Sequence, residues 1–289
     1  MGGFVAAALA RSGADVEVVA REATAAAIAE RGLHVRSAVL GDFDARPEVV
    51  TTLTQPVEIL LVATKATGLQ AALSRIESAP GVVVPLLNGL DHMELLRSRL
   101  HPAPVLAGVI RIESDSPGPG QIVQTSPTAR VDIAATDNTL AEALEQALDG
   151  AGIPVRAGDT EKQVLWSKLT RLNALALTTS ASDRELGYVR NDPRWRSALE
   201  GAMAEAAAVA NADGATIDPA HTLAELEQAH AELGSSMQRD IAAGREPELD
   251  AIAGAVLRAA ARHRIRCPTI TWLAGRVAQR AGLNGLSYG

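Results

Sequence analysis

Lysine is almost missing from this 289-residue chain: Lys65, Lys162 and Lys168 stand against 24 arginines. Arginine keeps its proton at any working pH, whereas a lysine can be tuned to release one. A cationic group that must move a proton therefore has few places to sit. Cysteine is scarcer still. Cys267 alone excludes an internal disulfide and suits a reducing compartment. Beside Pro268 it reads as a small buried hydrophobe at a helix boundary. Aromatic residues make up 2% of the chain, so Ala, Val and Leu must fill the core that a 47% hydrophobic composition allows. No apolar run is long enough to span a bilayer, and no basic segment with a cleavage site resembles a signal peptide. A cytoplasmic protein without membrane contact is expected. The formal charge of -7 and the absence of a basic run argue against a nucleic-acid surface. His34, His92, His101, His221, His230 and His263 form no ligand-spaced set with Cys267, so no metal is expected.

What is present divides the chain in two. Short β-rich runs alternate with helical stretches in the first half. Strands are expected over 16–20, 33–38, 59–63, 82–87, 105–112, 121–125 and 129–134. Helices are expected over 23–31, 67–76, 92–100 and 138–149. Strands separated by helical crossovers predict an α/β domain with a largely parallel sheet. The continuous apolar run Ile59 to Ala63 predicts a strand covered on both faces. From Glu161 onward the periodic segments are helical: 162–179, 193–212, 220–230, 235–243, 248–263 and 269–281. The expected plan is a dinucleotide-binding domain over 1–157 and an all-α domain over 158–289.

The first residues carry a nucleotide-binding signature that starts mid-motif. Gly2 and Gly3 lead into an apolar helical run, Gly13 closes it, and Asp15 to Arg21 reads as the following strand. The strand and the glycines that normally precede such a helix are not in the chain. The expectation is a start codon set inside the motif, with about seven to ten residues needed to complete it, and stronger folding and NADPH binding once they are restored. Arg21, at the end of the strand, stands where an adenine ribose is met. An arginine fork there suits a 2′-phosphate, and hence NADP. Lys65 and Asn88 follow later strands at their carboxyl ends, where open α/β sheets bind ligands. Asn88-Gly89 is also an ordinary tight-turn dipeptide. Lys168 lies in the helical run Trp166-Ser167-Lys168-Leu169, where a solvated lysine is the plain alternative. Ser235 is a helix cap, and Glu248 and Asp250 open a later helix.

Taken in order, these pieces resemble the ketopantoate reductase (2-dehydropantoate 2-reductase) family. They are Gly2-Gly3, Val18 to Arg21, Val62-Ala63-Thr64-Lys65, Leu87-Asn88-Gly89, Pro119-Gly120, Trp166 to Leu169, Ser235-Ser236-Met237 with Asp240, Gly244-Arg245, Glu248-Leu249-Asp250 and Gly254. The resemblance implies a Rossmann-type domain followed by a helical one, and NADPH-dependent reduction of a 2-oxo acid on the route to pantothenate. It implies Lys168 as the catalytic proton donor, and Ser236 and Glu248 as substrate contacts. Lys65 and Asn88 would lie near nicotinamide and substrate, and Gly2, Gly3 and Arg21 would meet the cofactor. Leu172 and Ala176 stand where the family has asparagines. Asn173, one residue on, is the remaining amide candidate for the substrate. Asp91 replaces a commoner glycine. Reduction of a different 2-oxo acid, and an NADP-binding homologue without turnover, are the alternatives, and the Ala-rich helices are compatible with a homodimer.

Overall fold

The computed structural model describes residues 1–135 and 138–283. The chain forms two compact units. One comprises Met1–Leu87 and His92–Glu161, and the other Asn88–Asp91 and the chain from Lys162 onward.

The first unit is mixed α/β and Rossmann-like. It runs α1 (Gly2–Arg11), β1 (Glu17–Val19), α2 (Glu22–Arg31), β2 (Leu33–Ser37), β3 (Phe43–Ala45), β4 (Glu48–Val50) and β5 (Ile59–Val62). A 3-10 turn (Ala66–Gly68) leads into α3 (Leu69–Leu73), then β6 (Val82–Pro85), α4 (His92–Arg99), β7 (Gly108–Arg111), β8 (Ser114–Gly118), β9 (Gln121–Gln124) and β10 (Arg130–Ala134). The unit closes with α5 (Thr139–Gly150) and β11 (Val155–Asp159). α1 buries Phe4, Val5, Ala7 and Ala8 against β2, β3 and β9. The side chain of Asn138 caps α5 by accepting from Leu140 N at 2.9 Å.

The sheets are mixed instead of largely parallel. β1 pairs with β4 and β5 with β6 in parallel, as two separate two-stranded ladders. β2 pairs parallel with β9, whereas β3 and β8 join that sheet antiparallel. β10 lies parallel to β11 and antiparallel to β7. The expectation that Ile59 to Ala63 is covered on both faces is also corrected. Ile59, Leu60 and Leu61 are half-buried and only Val62 is buried. Its ladder runs to β6 alone, so β5 is an edge strand.

The second unit is all-α. It contains α6 (Glu161–Ser182), α7 (Leu186–Asn191), α8 (Pro193–Ala212), α9 (Pro219–Gln228) and α10 (Ser236–Ala242). A π-helical turn (Asp250–Gly254) runs straight into α11 (Ala255–His263), and α12 (Pro268–Arg280) follows. One starting device recurs. Asp192 and Asp218 cap α8 and α9 with their carboxylates, and a proline occupies the first helical position, where its missing N–H costs nothing. Glu205 does the same for α12 from a distance, accepting from Thr269 N at 2.8 Å and Ile270 N at 2.9 Å. Cys267, buried at the start of α12, has its thiol pKa pushed up to about 11 by burial and secondarily by Glu205. Alanine lets the helices approach closely: Ala198, Ala202, Ala206, Ala207 and Ala210 line the buried face of α8.

Asp213 gathers three helix ends. Its carboxylate meets Lys162 Nζ at 2.6 Å and Trp166 Nε1 at 2.9 Å on α6, and His263 Nε2 at 3.1 Å on α11. Burial pushes this carboxyl up, but the bonds from Lys162, Trp166 and His263 outweigh it and hold the pKa at about 2. Among the described residues no helix is long and apolar enough to cross a membrane.

Candidate functional site

Within the helical unit the chain brings together residues that are far apart in sequence. The short segment Asn88–Asp91 leaves β6 and packs with this unit. Asn88 Nδ2 donates to Glu248 Oε2 at 3.0 Å, and the two residues are buried, 9% and 6% exposed. A carboxylate taken out of water must be met by donors, and the Asn88 amide is one. Gly89 makes the approach workable. Its φ is +92°, and a Cβ there would lie 2.3 Å from Ala251 O. Any side chain would push the segment off the π turn and part Asn88 from Glu248.

The loop that delivers Glu248 is itself fixed. Asp240, buried on α10, accepts from Arg245 Nε at 2.9 Å, and its carbonyl accepts from Arg245 N at 2.8 Å. Ser235 caps α10, accepting from Gln238 N at 3.1 Å while Thr179 donates to it at 3.0 Å. Ser236, the next residue, is half-buried in the first turn of α10.

Lys168 lies midway along α6, half-buried, with Nζ shielded from solvent. Asn173 is fully buried, and its Nδ2 donates to Ile252 O of the π turn at 3.2 Å. Its amide ties α6 to the segment after Glu248. Leu172 is half-buried against the apolar core and Ala176 is fully buried.

The remaining sequence candidates lie in the α/β unit. Gly2 and Gly3 form the first turn of α1, a helix with no acidic residue in that turn. A Cβ on Gly2 would sit 3.1 Å from Ala63 Cβ, at the carboxyl end of β5. Lys65 follows β5, exposed, just before the 3-10 turn. Arg21 is exposed at the start of α2 after β1. Its neighbour Glu22 would repel an anion, yet Arg75 neutralises it through bonds of 3.0 and 3.3 Å, lowering the carboxyl pKa chiefly through that hydrogen bond. Arg75 also donates to Thr51 O at 2.9 Å, beyond the end of β4. A helix N-terminus, Arg21 and Lys65 at the carboxyl ends of parallel strands fit an anionic dinucleotide. Reading the sequence missed Arg75, whose pairing with Glu22 spans 53 residues.

Comparison with known proteins gives the family of the chain. The Ketopantoate reductase PanE/ApbA family model matches residues 1–138, and the Ketopantoate reductase PanE/ApbA C terminal model matches residues 162–281. The chain is 27% identical over 281 residues to "Uncharacterized oxidoreductase YkpB" of Bacillus subtilis, covering 93% of this chain and 92% of that protein. It is 29% identical over 219 residues to a 2-dehydropantoate 2-reductase of Mycobacterium tuberculosis, covering 74% and 72%. The crystal structure of 2-dehydropantoate 2-reductase from Geobacter metallireducens GS-15 superposes with a TM-score of 0.88 at 26% identity, covering 96% of each chain.

Proposed function

The chain belongs to the ketopantoate reductase family, and from that premise we propose that it reduces a 2-oxo acid, ketopantoate first among them, to the 2-hydroxy acid with NADPH. The observation that carries this reading is the buried Asn88–Glu248 pair. A carboxylate offers about four acceptor positions, and Asn88 occupies one. Glu248 is then the acceptor for a substrate hydroxyl, with Asn88 fixing its orientation. Such a site favours substrates that bring a hydroxyl, because the buried carboxylate is an acceptor for it.

NADPH supplies the hydride. Lys168 would give its proton to the carbonyl oxygen, meeting the negative charge that develops there. The carbonyl becomes an alcohol and the lysine is left neutral, to be reprotonated from solvent. Ser236 would donate to the substrate, and Lys65, at the carboxyl end of β5, would offer its charge to the cofactor. Asn173 supports this site by holding the π turn against α6. On the cofactor side, the turn at Gly2 and Gly3 would hold the pyrophosphate and Arg21 the 2′-phosphate, with Glu22 paired to Arg75.

Leu172 and Ala176 favour a second reading, in which the substrate is a different and more apolar 2-oxo acid. Consumption of NADPH, followed by its absorbance with ketopantoate and a panel of 2-oxo acids, separates the possibilities. Turnover of ketopantoate above the others supports the first reading. Preference for an apolar 2-oxo acid that lacks a hydroxyl supports the second. NADPH binding with no turnover on any substrate would make the chain a non-catalytic homologue and overturn both.

A further inference from the structure

We propose that Asp91, Arg258 and Asp250 form a clamp that sets the separation and orientation of Asn88 and Glu248, making Asp91 and Arg258 positioning residues for substrate recognition. The inference rests on the reading of Asn88 and Glu248 as substrate contacts. Those two residues come from segments 160 residues apart, so something must hold the segments in register. Arg258 lies on α11, and its guanidinium reaches back over the π turn. Nη1 donates to Asp250 Oδ1 at 2.7 Å, and Nη2 donates to Asp250 Oδ2 at 3.1 Å and to Asp250 O at 3.3 Å. The same Nη2 donates to Asp91 Oδ2 at 2.6 Å. One planar fork thus grips the residue two positions after Glu248 and the residue three positions after Asn88.

Three neighbouring features accommodate this grip. A Cβ on Gly254 would lie 2.3 Å from Asp250 Oδ1 and 2.9 Å from Arg258 Nη1, so only glycine leaves room for the fork across the helix. Gly89 lays the segment 88–91 on Ala251 O. The π geometry of 250–254 presents Ile252 O to Asn173. A π turn is a poor helix that persists where its surroundings hold it, and here both sides of it are held. Asp91 and Asp250 side chains are 51% and 66% exposed. Ion pairs that open to water add little to folding free energy. What the clamp contributes is geometry: a bidentate arginine fixes direction as well as distance.

The test uses Asp91→Asn, Arg258→Gln, the double variant and Arg258→Lys in the full chain. Two readouts are taken: amide hydrogen exchange of peptides covering 88–91 and 248–258, and kcat and KM for the 2-oxo acid. Displacing a binding group by a fraction of an ångström to one ångström costs on the order of tenfold to a hundredfold. The clamp therefore predicts a rise in KM of about tenfold with kcat held within about threefold and its pH profile unmoved. Exchange across 248–258 quickens in Arg258→Gln. The double variant is no worse than Arg258→Gln, and lysine rescues only in part because a point charge cannot fork. Asp91, exposed and in a loop, keeps the test interpretable where Arg258→Gln folds poorly. Unchanged exchange and unchanged KM in Asp91→Asn and Arg258→Gln overturn the clamp. Quickened exchange in a protein whose parent reduces no 2-oxo acid leaves the clamp standing as a loop anchor and overturns the reading of the site instead.

Discussion

Replacing Asp213 by asparagine removes one negative charge and almost no volume, and it tests how the helix bearing Lys168 is anchored. The Asp213 side chain is 8% exposed, and it holds Lys162 and Trp166, in the first two turns of α6, against His263 at the end of α11. Its pKa falls from 3.8 to about 2 because the bonds from Lys162, Trp166 and His263 outweigh the upward push of burial. A carboxyl lowered that far in the folded state contributes about 2.5 kcal/mol at neutral pH. Lys162 is 48% exposed, so solvent screening brings the expected loss in Asp213→Asn to about 2 kcal/mol. The sign follows from the direction. A depressed carboxyl stabilises the fold fully above its unfolded pKa of 3.8 and ceases to do so as pH falls through about 2. The deficit of Asp213→Asn should thus stay level from neutral pH down to about 4.5 and close between 3.8 and about 2.

The three tryptophans, Trp166, Trp195 and Trp272, all lie in the helical unit. Urea unfolding followed by tryptophan fluorescence therefore reports that unit by itself. Parent and variant are compared at a series of pH values from 7 down to the lowest at which the parent remains folded. A deficit below about 0.5 kcal/mol at neutral pH is what an ordinary exposed ion pair would give, and it would refute the anchoring role. So would a deficit that stays constant through the acid range, because the loss would then come from shape and not from the carboxylate charge.

Lys168→Ala should lower kcat by about a hundredfold to ten-thousandfold with little change in KM, and an unchanged kcat would remove Lys168 from the proton step. Arg21→Ala should raise the KM for NADPH by about tenfold while leaving that for NADH almost untouched, since one charge-assisted contact to a phosphate is worth about 1.5 to 3 kcal/mol; equal losses for both cofactors would place Arg21 away from the 2′-phosphate. Thr170 is fully buried on α6, and its Oγ1 has no hydrogen-bond partner among the described residues. Thr170→Val should raise the urea midpoint, by about 1 kcal/mol of stability, whereas a lower midpoint would mean that a bound water satisfies the hydroxyl.

Local periodicity made the main plan legible. The alternation of apolar runs with helices in the first half, and the helical spacing after Glu161, correspond to the α/β and all-α parts of the chain. The strands that escaped, β3, β4, β8 and β11, are either very short or poor in apolar residues. β3 (Phe43–Ala45) and β4 (Glu48–Val50) are three residues each, and β8 reads Ser-Asp-Ser-Pro-Gly. Their place is fixed by backbone pairing with distant strands, which side-chain patterning does not report. The π turn was hidden for the opposite reason. Leu249 to Arg258 has ordinary helical spacing, and only Gly254 marks the crowding beneath the Asp250–Arg258 fork. Asp91 had looked like a mere departure from the family; its partner is 167 residues away, beyond the reach of any local rule.

The scarcity of lysine can now be argued residue by residue. Lys162 is committed to Asp213 at 2.6 Å, in a cluster that fastens helix ends. Its charge is needed where it is, and releasing its proton would strand a buried carboxylate. Lys65 stands exposed after β5, at the carboxyl end of a parallel strand. Lys168 differs from both. Its Nζ is shielded from solvent on α6. The same helix is tied by Asn173 to the π turn that begins two residues beyond Glu248. On the proposed reading, a proton donor and a hydroxyl acceptor held by one hydrogen-bonded frame would keep their spacing as substrate binds, and the proposed reduction of a hydroxyl-bearing 2-oxo acid requires that constancy. An arginine at 168 would preserve the charge and lose the chemistry, so Lys168→Arg should bind the 2-oxo acid and fail to turn it over, and an active Lys168→Arg would refute the assignment of the proton to this side chain.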